Sequence, residues 1–450
     1  MPDSITIRPC GPIHASIRPP GSKSITNRAL VCAALAEGES TLTGALDSED
    51  TRVMIEALHQ LGIAVVASDD NTTLRVTGCG GQPPVREADL YVANSGTTIR
   101  FLTAMLAATH GKYRLDGIER MRQRPIGDLL DALNQLGADC RSEASNGCPP
   151  VVINAYGLRG GETKIRGDIS SQYLSGLLMA APYAEDRVGI FVEGQLVSQP
   201  YVYMTLGVMA AFTADSKLVV TAPVIVADDK TEGALANRDL RNAGQLSPLF
   251  ISNQPYRATT YDIEPDASAA SYFWGAAAVT GGTVTVESLT SKALQGDVAF
   301  VDCLSQMGCT VSESENSITV TGGKLRGIDV NMNAISDTVQ TLGAVALFAE
   351  GPTTIRGVGH IRHKETDRIG DLARELRKLG ASVDEFDDGL RITPGPLRPA
   401  TIETYNDHRM AMSLALAGLS IDGVVINNPR CTEKTYPKFF EDLAKVCGSQ

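Results

Sequence analysis

The sequence repeats itself at intervals of about seventy residues, and a period of that length means that one supersecondary unit has been used several times over. A polar-headed, Ala-rich helix pattern runs as SKSITNRALVCAALAEG from Ser22, SGTTIRFLTAMLAATHG from Ser95 and SSQYLSGLLMAAPYAED from Ser170. These starts stand 73 and 75 residues apart. In the second half the head changes to Asp: DASAASYFWGAAAVTGG from Asp266, DTVQTLGAVALFAEG from Asp337 and DHRMAMSLALAGLSIDG from Asp407, at spacings of 71 and 70. Gly then introduces β-branched runs at Thr283 to Val286, Thr353 to Ile355 and Val424 to Ile426, which predict strands.

A second helix closes on an apolar residue and Gly at Leu61-Gly62, Leu136-Gly137, Met307-Gly308 and Leu379-Gly380, where Gly is a C-terminal stop signal. Further strands are expected after it, at Ala64 to Val66, Thr310 to Val311 and Ala381 to Val383. Strand, helix, strand, helix and more strand, used six times, predicts two similar α/β domains of three units, with a ligand cleft between them. The interval from Ser170 to Asp266 is 96 residues, so extra chain lies there. Residues 213–256, which include DDKTEGALANRDLRNAG, have little periodicity and are expected to hold an irregular insertion and the domain crossover.

Composition narrows the function classes. A chain of 450 residues, 43% hydrophobic and 20% charged, has material for two ordinary cores and no disorder signature. With 40 Lys and Arg against 52 Asp and Glu, the net charge of −12 opposes nucleic-acid binding through the overall field, and 5% aromatics gives no stacking platform for bases. Nine cysteines without a CxxC pair read as free thiols in a reducing compartment. No apolar run spans a bilayer and no signal peptide opens the chain, so a cytoplasmic protein is expected, or a mature form without its transit peptide. P-loop, zincin, α/β-hydrolase and Rossmann motifs are absent, and six scattered His with no close Cys/His grouping predict no metal site.

The helix heads point to chemistry, because a helix start offers unpaired N–H groups and a partial positive charge. Lys23, Arg28 and Arg100 add cations to heads in the first half, which suits phosphate or carboxylate. Ordinary capping explains any one Ser or Asp head. Threefold recurrence beside cations favours an anionic ligand, and an Asp head in the second half is a candidate base for a substrate hydroxyl. More cations gather in RMRQRPIG (Arg120, Arg122, Arg124), HKETDR (Lys364, Arg368), DHR (Arg409) and CTEKTYP (Lys434). For KETDR the plain alternative is a solvated, salt-bridged helix face.

Taken in order, PGSKSITNRA, NSGTTIR, RPIGDLLDALNQLGA, ISSQYLSGLLMAAP, EPDASAASYF, KETDR and YNDHRMAM resemble the 5-enolpyruvylshikimate-3-phosphate synthases, of the enolpyruvyl transferase family, over nearly the whole chain except the insertion. The resemblance implies an inside-out α/β barrel architecture: two domains, each of three βαβαββ units. Residues 21–256 would form the upper domain, and 1–20 with 257–450 the lower. It implies transfer of the enolpyruvyl group of phosphoenolpyruvate to the 5-hydroxyl of shikimate 3-phosphate by addition and elimination, with release of phosphate. That step lies in the shikimate pathway to chorismate and aromatic amino acids. It implies no cofactor, no metal, no nucleic-acid or membrane partner, a monomer, and glyphosate as a competitor of phosphoenolpyruvate.

By motif, the resemblance assigns phosphoenolpyruvate to Lys23, Gly96, Arg124, Gln172, Arg368, Arg409 and Lys434. It assigns shikimate 3-phosphate to Lys23, Ser24, Arg28, Ser170, Ser171, Gln172, Ser198, Tyr201, Asp337 and Lys364. The catalytic set is Asp337 as base for the 5-hydroxyl, Glu365 as proton donor and acceptor at the methylene carbon, Lys23 at the bridging oxygen, and His408 as an orienting or shuttling group. The chain departs from the family pattern at Ser336 (commonly Pro), His360 (commonly Asn) and Phe101 (commonly Pro). Two alternatives are weaker. UDP-N-acetylglucosamine enolpyruvyl transferase lacks the SSQ, KETDR and DHR set and commonly uses a loop Cys absent from RMRQRPIGDLL. A non-catalytic anion binder has no need of Asp337 and Glu365.

Overall fold

A computed structural model describes residues 2–213, the backbone of 219–221, and 248–448. The chain divides into two compact units, residues 21–264 and residues 1–20 with 265–450. Most of the insertion expected at 213–256 lies outside the described residues. At its edges, Val219–Thr221 and Leu249–Ile251 are short antiparallel strands that extend a sheet.

The unit of residues 21–264 contains three four-stranded sheets. Its middle repeat shows the plan: strand Glu87–Tyr91, helix Gly96–Ala107, strand His110–Asp116, helix Gly127–Gln135, then Asp139–Ser142 and Val151–Tyr156. The first two strands pair parallel and the last two add antiparallel. The first repeat borrows its parallel strand from far away. Thr260–Asp262 pairs with Glu39–Thr43, Tyr261 standing opposite Leu42. That pairing corrects the expected boundary: residues 257–264 lie in the first unit, and the division falls before Pro265.

The other unit holds two four-stranded sheets and one of three strands. Here the borrowed strands come from the chain's beginning. His14–Ile17 pairs parallel with Thr283–Glu287, and Ser4–Thr6 antiparallel with Val425–Asn427. Three helices, Ala267–Thr280, Val339–Ala346 and His408–Gly418, pack together at the core. They are buried almost all round, which fits their Ala, Leu and Val composition. A Cβ on Gly275 would lie 2.9 Å from Leu416 Cδ1 and 3.1 Å from Thr341 Cγ2, so any larger residue would displace these side chains. A chain of hydroxyls links the three helices: Ser271 Oγ to Thr341 Oγ1 at 3.0 Å, and Thr341 Oγ1 to Ser413 Oγ at 3.2 Å.

Repeat punctuation appears where the period places it. Ser22, Ser95, Ser170, Asp266 and Asp407 each cap a helix through the side chain. Gly62, Gly137, Gly308 and Gly380 follow the second helices with positive φ. Asp337 is the exception: it sits in the 3-10 turn Asn333–Thr338, and the helix that follows has no side-chain cap. Among the described residues, no helix is long and apolar enough to cross a membrane.

Candidate functional site

Each unit gathers its own cluster of the predicted residues. In residues 21–264, helix Lys23–Leu35 starts at its Ser22 cap with Lys23, whose Nζ lies 3.5 Å from Asp50 Oδ2. One turn on, Arg28 is 1% exposed. It donates from Nε to Thr205 Oγ1 at 2.7 Å, from Nη1 to the Ser24 carbonyl at 2.8 Å, and from Nη2 to Ser175 Oγ and the Tyr201 carbonyl, both at 3.2 Å. Burial lowers its pKa to about 10, which still leaves the guanidinium charged at neutral pH. These contacts bring Ser24 and Tyr201 to Arg28 through their backbone oxygens.

The cluster of this unit includes a further group of cations at Gly96. A Cβ there would lie 2.3 Å from Arg124 Nη2 and 2.6 Å from Arg100 Nη1, so two guanidiniums occupy the space that Gly leaves open at the helix start. Arg124 donates from Nη1 to the Asn94 carbonyl at 3.0 Å and to its Oδ1 at 3.3 Å. Arg100 donates to Gln172 Oε1 at 2.8 Å and to the Pro125 carbonyl at 3.0 Å. Gln172 donates to Thr97 Oγ1 at 3.3 Å and follows the Ser170 cap and Ser171 at the start of helix Ser171–Ala180. Of the three arginines in RMRQRP only Arg124 is buried; Arg120 is half-buried and Arg122 exposed. Ser198 precedes helix Gln199–Ala211 with φ of 51° and makes no side-chain cap.

In the other unit, Asp337 receives three cations. Lys364 Nζ lies 2.5 Å from Oδ1, Arg368 Nη1 3.3 Å from the same oxygen, and Arg409 Nη2 2.7 Å from Oδ2. Glu365 stands beside this set, 2.9 Å from Arg368 Nη2 through Oε2 and 3.2 Å from Lys434 Nζ through Oε1. Arg368 is clamped by Asp407, from Nε at 2.7 Å and from Nη2 at 3.1 Å. Burial works against the Arg368 charge, but Asp407, Glu365 and Asp337 outweigh it and raise its pKa above the ordinary arginine value. For Lys364 burial wins over the pull of Asp337 and lowers the ammonium's pKa, with Arg368 adding to the effect.

This arrangement decides against a solvated salt-bridged face for KETDR. Exposed pairs contribute about 0–1 kcal/mol, whereas removing one partner of a buried pair costs about 3–5 kcal/mol, and Arg368 is 1% exposed. Simple capping fails at Asp337 for the same reason: its carboxylate is engaged by cations. Among the described residues, no group of three or more His, Cys, Asp or Glu side chains is placed to hold a metal ion.

A family model described as EPSP synthase (3-phosphoshikimate 1-carboxyvinyltransferase) matches residues 7–226 and 247–443. The chain belongs to the EPSP synthase family. The 3-phosphoshikimate 1-carboxyvinyltransferase of Trichormus variabilis is 48% identical over 438 residues, covering 97% of both chains. The chloroplastic enzyme of Brassica napus is 44% identical, covering 98% of this chain and 85% of its own. Among solved structures, an EPSP synthase from Acinetobacter baumannii superposes with a TM-score of 0.76 at 26% identity, covering 99% of this chain and 98% of that one. The enolpyruvyl transferase NikO from Streptomyces tendae, at 19% identity and a TM-score of 0.75, shares the fold.

Within this EPSP synthase family member the three departures have visible surroundings. Phe101 lies under Arg28, its ring centroid 5.1 Å from the guanidinium carbon, a cation–π contact that a Pro does not supply. Ser336 is fully buried next to Asp337. Burial, reinforced by Lys364, lowers the His360 pKa to about 3, so its ring is neutral at working pH.

His408 opens the helix His408–Gly418. Its ring is buried, neither nitrogen makes a hydrogen bond among the described residues, and Nδ1 stands 3.6 Å from Asp407 Oδ1. Burial and Arg409 push its pKa well below the ordinary histidine value. Sequence reasoning missed Asp50, Asn94, Ser175, Thr205 and Tyr272, whose hydroxyl accepts from Arg409 Nη1 at 3.3 Å, because nothing near each in sequence marks it as a partner of a cation. Asp407 was visible only as a helix head.

Proposed function

We propose that this chain performs its family's reaction and that the two clusters supply its groups. The enolpyruvyl moiety of phosphoenolpyruvate passes to the 5-hydroxyl of shikimate 3-phosphate, and inorganic phosphate leaves. The observation that carries this reading is a carboxylate, Asp337, met by Lys364, Arg368 and Arg409 next to a second carboxylate, Glu365, held by Arg368 and Lys434. A site that only bound anions would be better served by the cations alone, since each carboxylate competes with the ligand.

Two acidic substrates draw on those cations. Arg124, Arg368, Arg409 and Lys434 take the carboxylate and phosphate of phosphoenolpyruvate, with Lys23, Gln172 and the open backbone at Gly96. Lys23, Ser24, Arg28, Ser170, Ser171, Gln172, Ser198, Tyr201 and Lys364 hold shikimate 3-phosphate. When substrate anions take over Arg409 and Lys364, the Asp337 carboxylate becomes available to accept the proton of the 5-hydroxyl. The oxygen attacks C2 of phosphoenolpyruvate while Glu365 delivers a proton to its methylene carbon. Collapse reverses the second transfer: Glu365 removes a proton from the methyl group and phosphate departs, with Lys23 at the bridging oxygen. Acid–base groups account for about 100 to 10,000-fold of the acceleration, and orientation with fixed charge for the remainder.

The partners are these two small molecules, the protein acts as a monomer, and glyphosate competes for the phosphoenolpyruvate groups at Gly96 and Arg124. The test is phosphate release. It is expected when both substrates are supplied, and not when UDP-N-acetylglucosamine replaces shikimate 3-phosphate. The reverse pattern would move the chain to the other enolpyruvyl transfer.

A further inference from the structure

Arg409 reaches Asp337 with Nη2, and the aim of that nitrogen depends on contacts outside the groups named so far. The same Nη2 lies 3.4 Å from Ser268 Oγ, in the first turn of helix Ala267–Thr280. Ser268 in turn donates its hydroxyl proton to Oδ2 of Asp297, a carboxylate that is 3% exposed.

A hydroxyl has one proton and two lone pairs. With the proton committed to Asp297, Ser268 Oγ presents only lone pairs to Arg409. Were the proton turned round, donor would meet donor. Asp297 therefore fixes the polarity of the oxygen that Arg409 reads.

The segment bearing Asp297 is itself anchored. Gln295 accepts from the Ala267 N–H at 3.0 Å and donates to the Pro265 carbonyl at 2.6 Å. The 3-10 turn Gly296–Ala299 packs against the turn Asn333–Thr338, which carries Asp337. One short segment thus touches both the helix that presents Ser268 and the turn that presents Arg409's carboxylate partner.

We propose that Asp297 is a positioning residue for Arg409, acting through the Ser268 hydroxyl and touching neither substrate. The inference rests on the reading of Arg409 as a phosphoenolpyruvate ligand. A brace that merely steadied the helix would lower stability and weaken both substrates alike. A polarity relay acts on one substrate.

The test uses the full chain carrying Asp297→Asn, Ser268→Ala, or both, with phosphate release at varied phosphoenolpyruvate, calorimetric binding of shikimate 3-phosphate, and thermal melting. Each single change is expected to raise KM for phosphoenolpyruvate about tenfold, because a hydrogen bond to a charged group is lost or reversed. Affinity for shikimate 3-phosphate should stay within about twofold, and the double variant should be no worse than the weaker single, since both act on one chain of contacts. If Asp297→Asn does not fold, Ser268→Ala alone decides. An unchanged KM in Ser268→Ala beside an active wild type, or losses that multiply in the double variant, would overturn the relay. A wild type that releases no phosphate would overturn the underlying reading, and this proposal with it.

Discussion

Substituting Gly96 by Ala adds one methyl group at the most crowded point of the first cluster. The new Cβ would stand 2.3 Å from Arg124 Nη2, 2.7 Å from Arg124 Cζ and 2.6 Å from Arg100 Nη1. Non-bonded heavy atoms settle at about 3.5–4.0 Å, so the Arg124 guanidinium must retreat by about 1 Å. It cannot swing freely, because Arg124 is 4% exposed and tied to both oxygens of Asn94. Arg100 is held as firmly by Gln172 and the Pro125 carbonyl. A misplacement of about 1 Å in a substrate-positioning group costs up to about 100-fold. We therefore expect kcat/KM for phosphoenolpyruvate to fall about 10- to 100-fold, or about 1.4–2.7 kcal/mol. Inhibition by glyphosate should weaken in parallel. Initial rates of phosphate release at saturating shikimate 3-phosphate give the first quantity, and calorimetry without phosphoenolpyruvate should show shikimate 3-phosphate binding nearly as before. Gly11→Ala is the control, since a Cβ there meets nothing within 4 Å. A Gly96→Ala protein with KM for phosphoenolpyruvate within twofold of wild type would refute the steric argument.

Further expectations concern other parts of the two clusters. Asp337→Asn should reduce phosphate release about 100 to 10,000-fold, and Glu365→Gln similarly, with ligand binding retained; near-normal turnover in either would remove that carboxylate from proton transfer. Asp116→Asn should raise KM for phosphoenolpyruvate a few-fold, about 3 to 10, because Asp116 takes Arg122 at 3.0 and 2.7 Å and the Gly117 N–H at 2.8 Å, bracing the loop that leads to Arg124. Two histidines with lowered pKa values set an acid limit. Both His360, at about 3, and His408 have folded pKa values below the unfolded value of about 6.5, so protons bind preferentially to the unfolded chain. Their stabilising effect is complete above about pH 6.5 and is lost as pH falls toward the folded values. Melting temperature should therefore drop between pH 7 and pH 4, less steeply in His408→Gln; equal slopes would exclude His408 as a source.

The sequence period located five of the six helix caps and the glycines after the second helices, because both signals are local and depend on a few adjacent residues. Asp337 looked like a sixth cap and is not one. What distinguishes it is the arrival of Lys364, Arg368 and Arg409 from distant positions, which spacing along the chain does not report. The boundary expected after residue 256 missed for a related reason: Thr260–Asp262 is committed by its pairing with Glu39–Thr43. The strands Val219–Thr221 and Leu249–Ile251 are too short to show an alternating pattern. Cation-rich motifs marked where Lys364, Arg368, Arg409 and Lys434 gather around Asp337 and Glu365, yet the neutral oxygens of Thr205 and Ser175 around Arg28 left no trace in its neighbourhood.

The pairing of Ser4–Thr6 with Val425–Asn427 has a consequence for biosynthesis. Ile5 leaves the ribosome early, while Ile426, its partner opposite, follows only after roughly 400 further residues, a delay of about 20–80 s at about 5–20 residues/s. Residues 21–264 can reach their fold during that delay, since every described sheet they contain is complete once Asp262 has emerged. The second unit closes only when the chain is nearly finished. Nascent chains stalled near residue 300 should then show proteolytic protection across 21–213 while the first twenty residues are still cut.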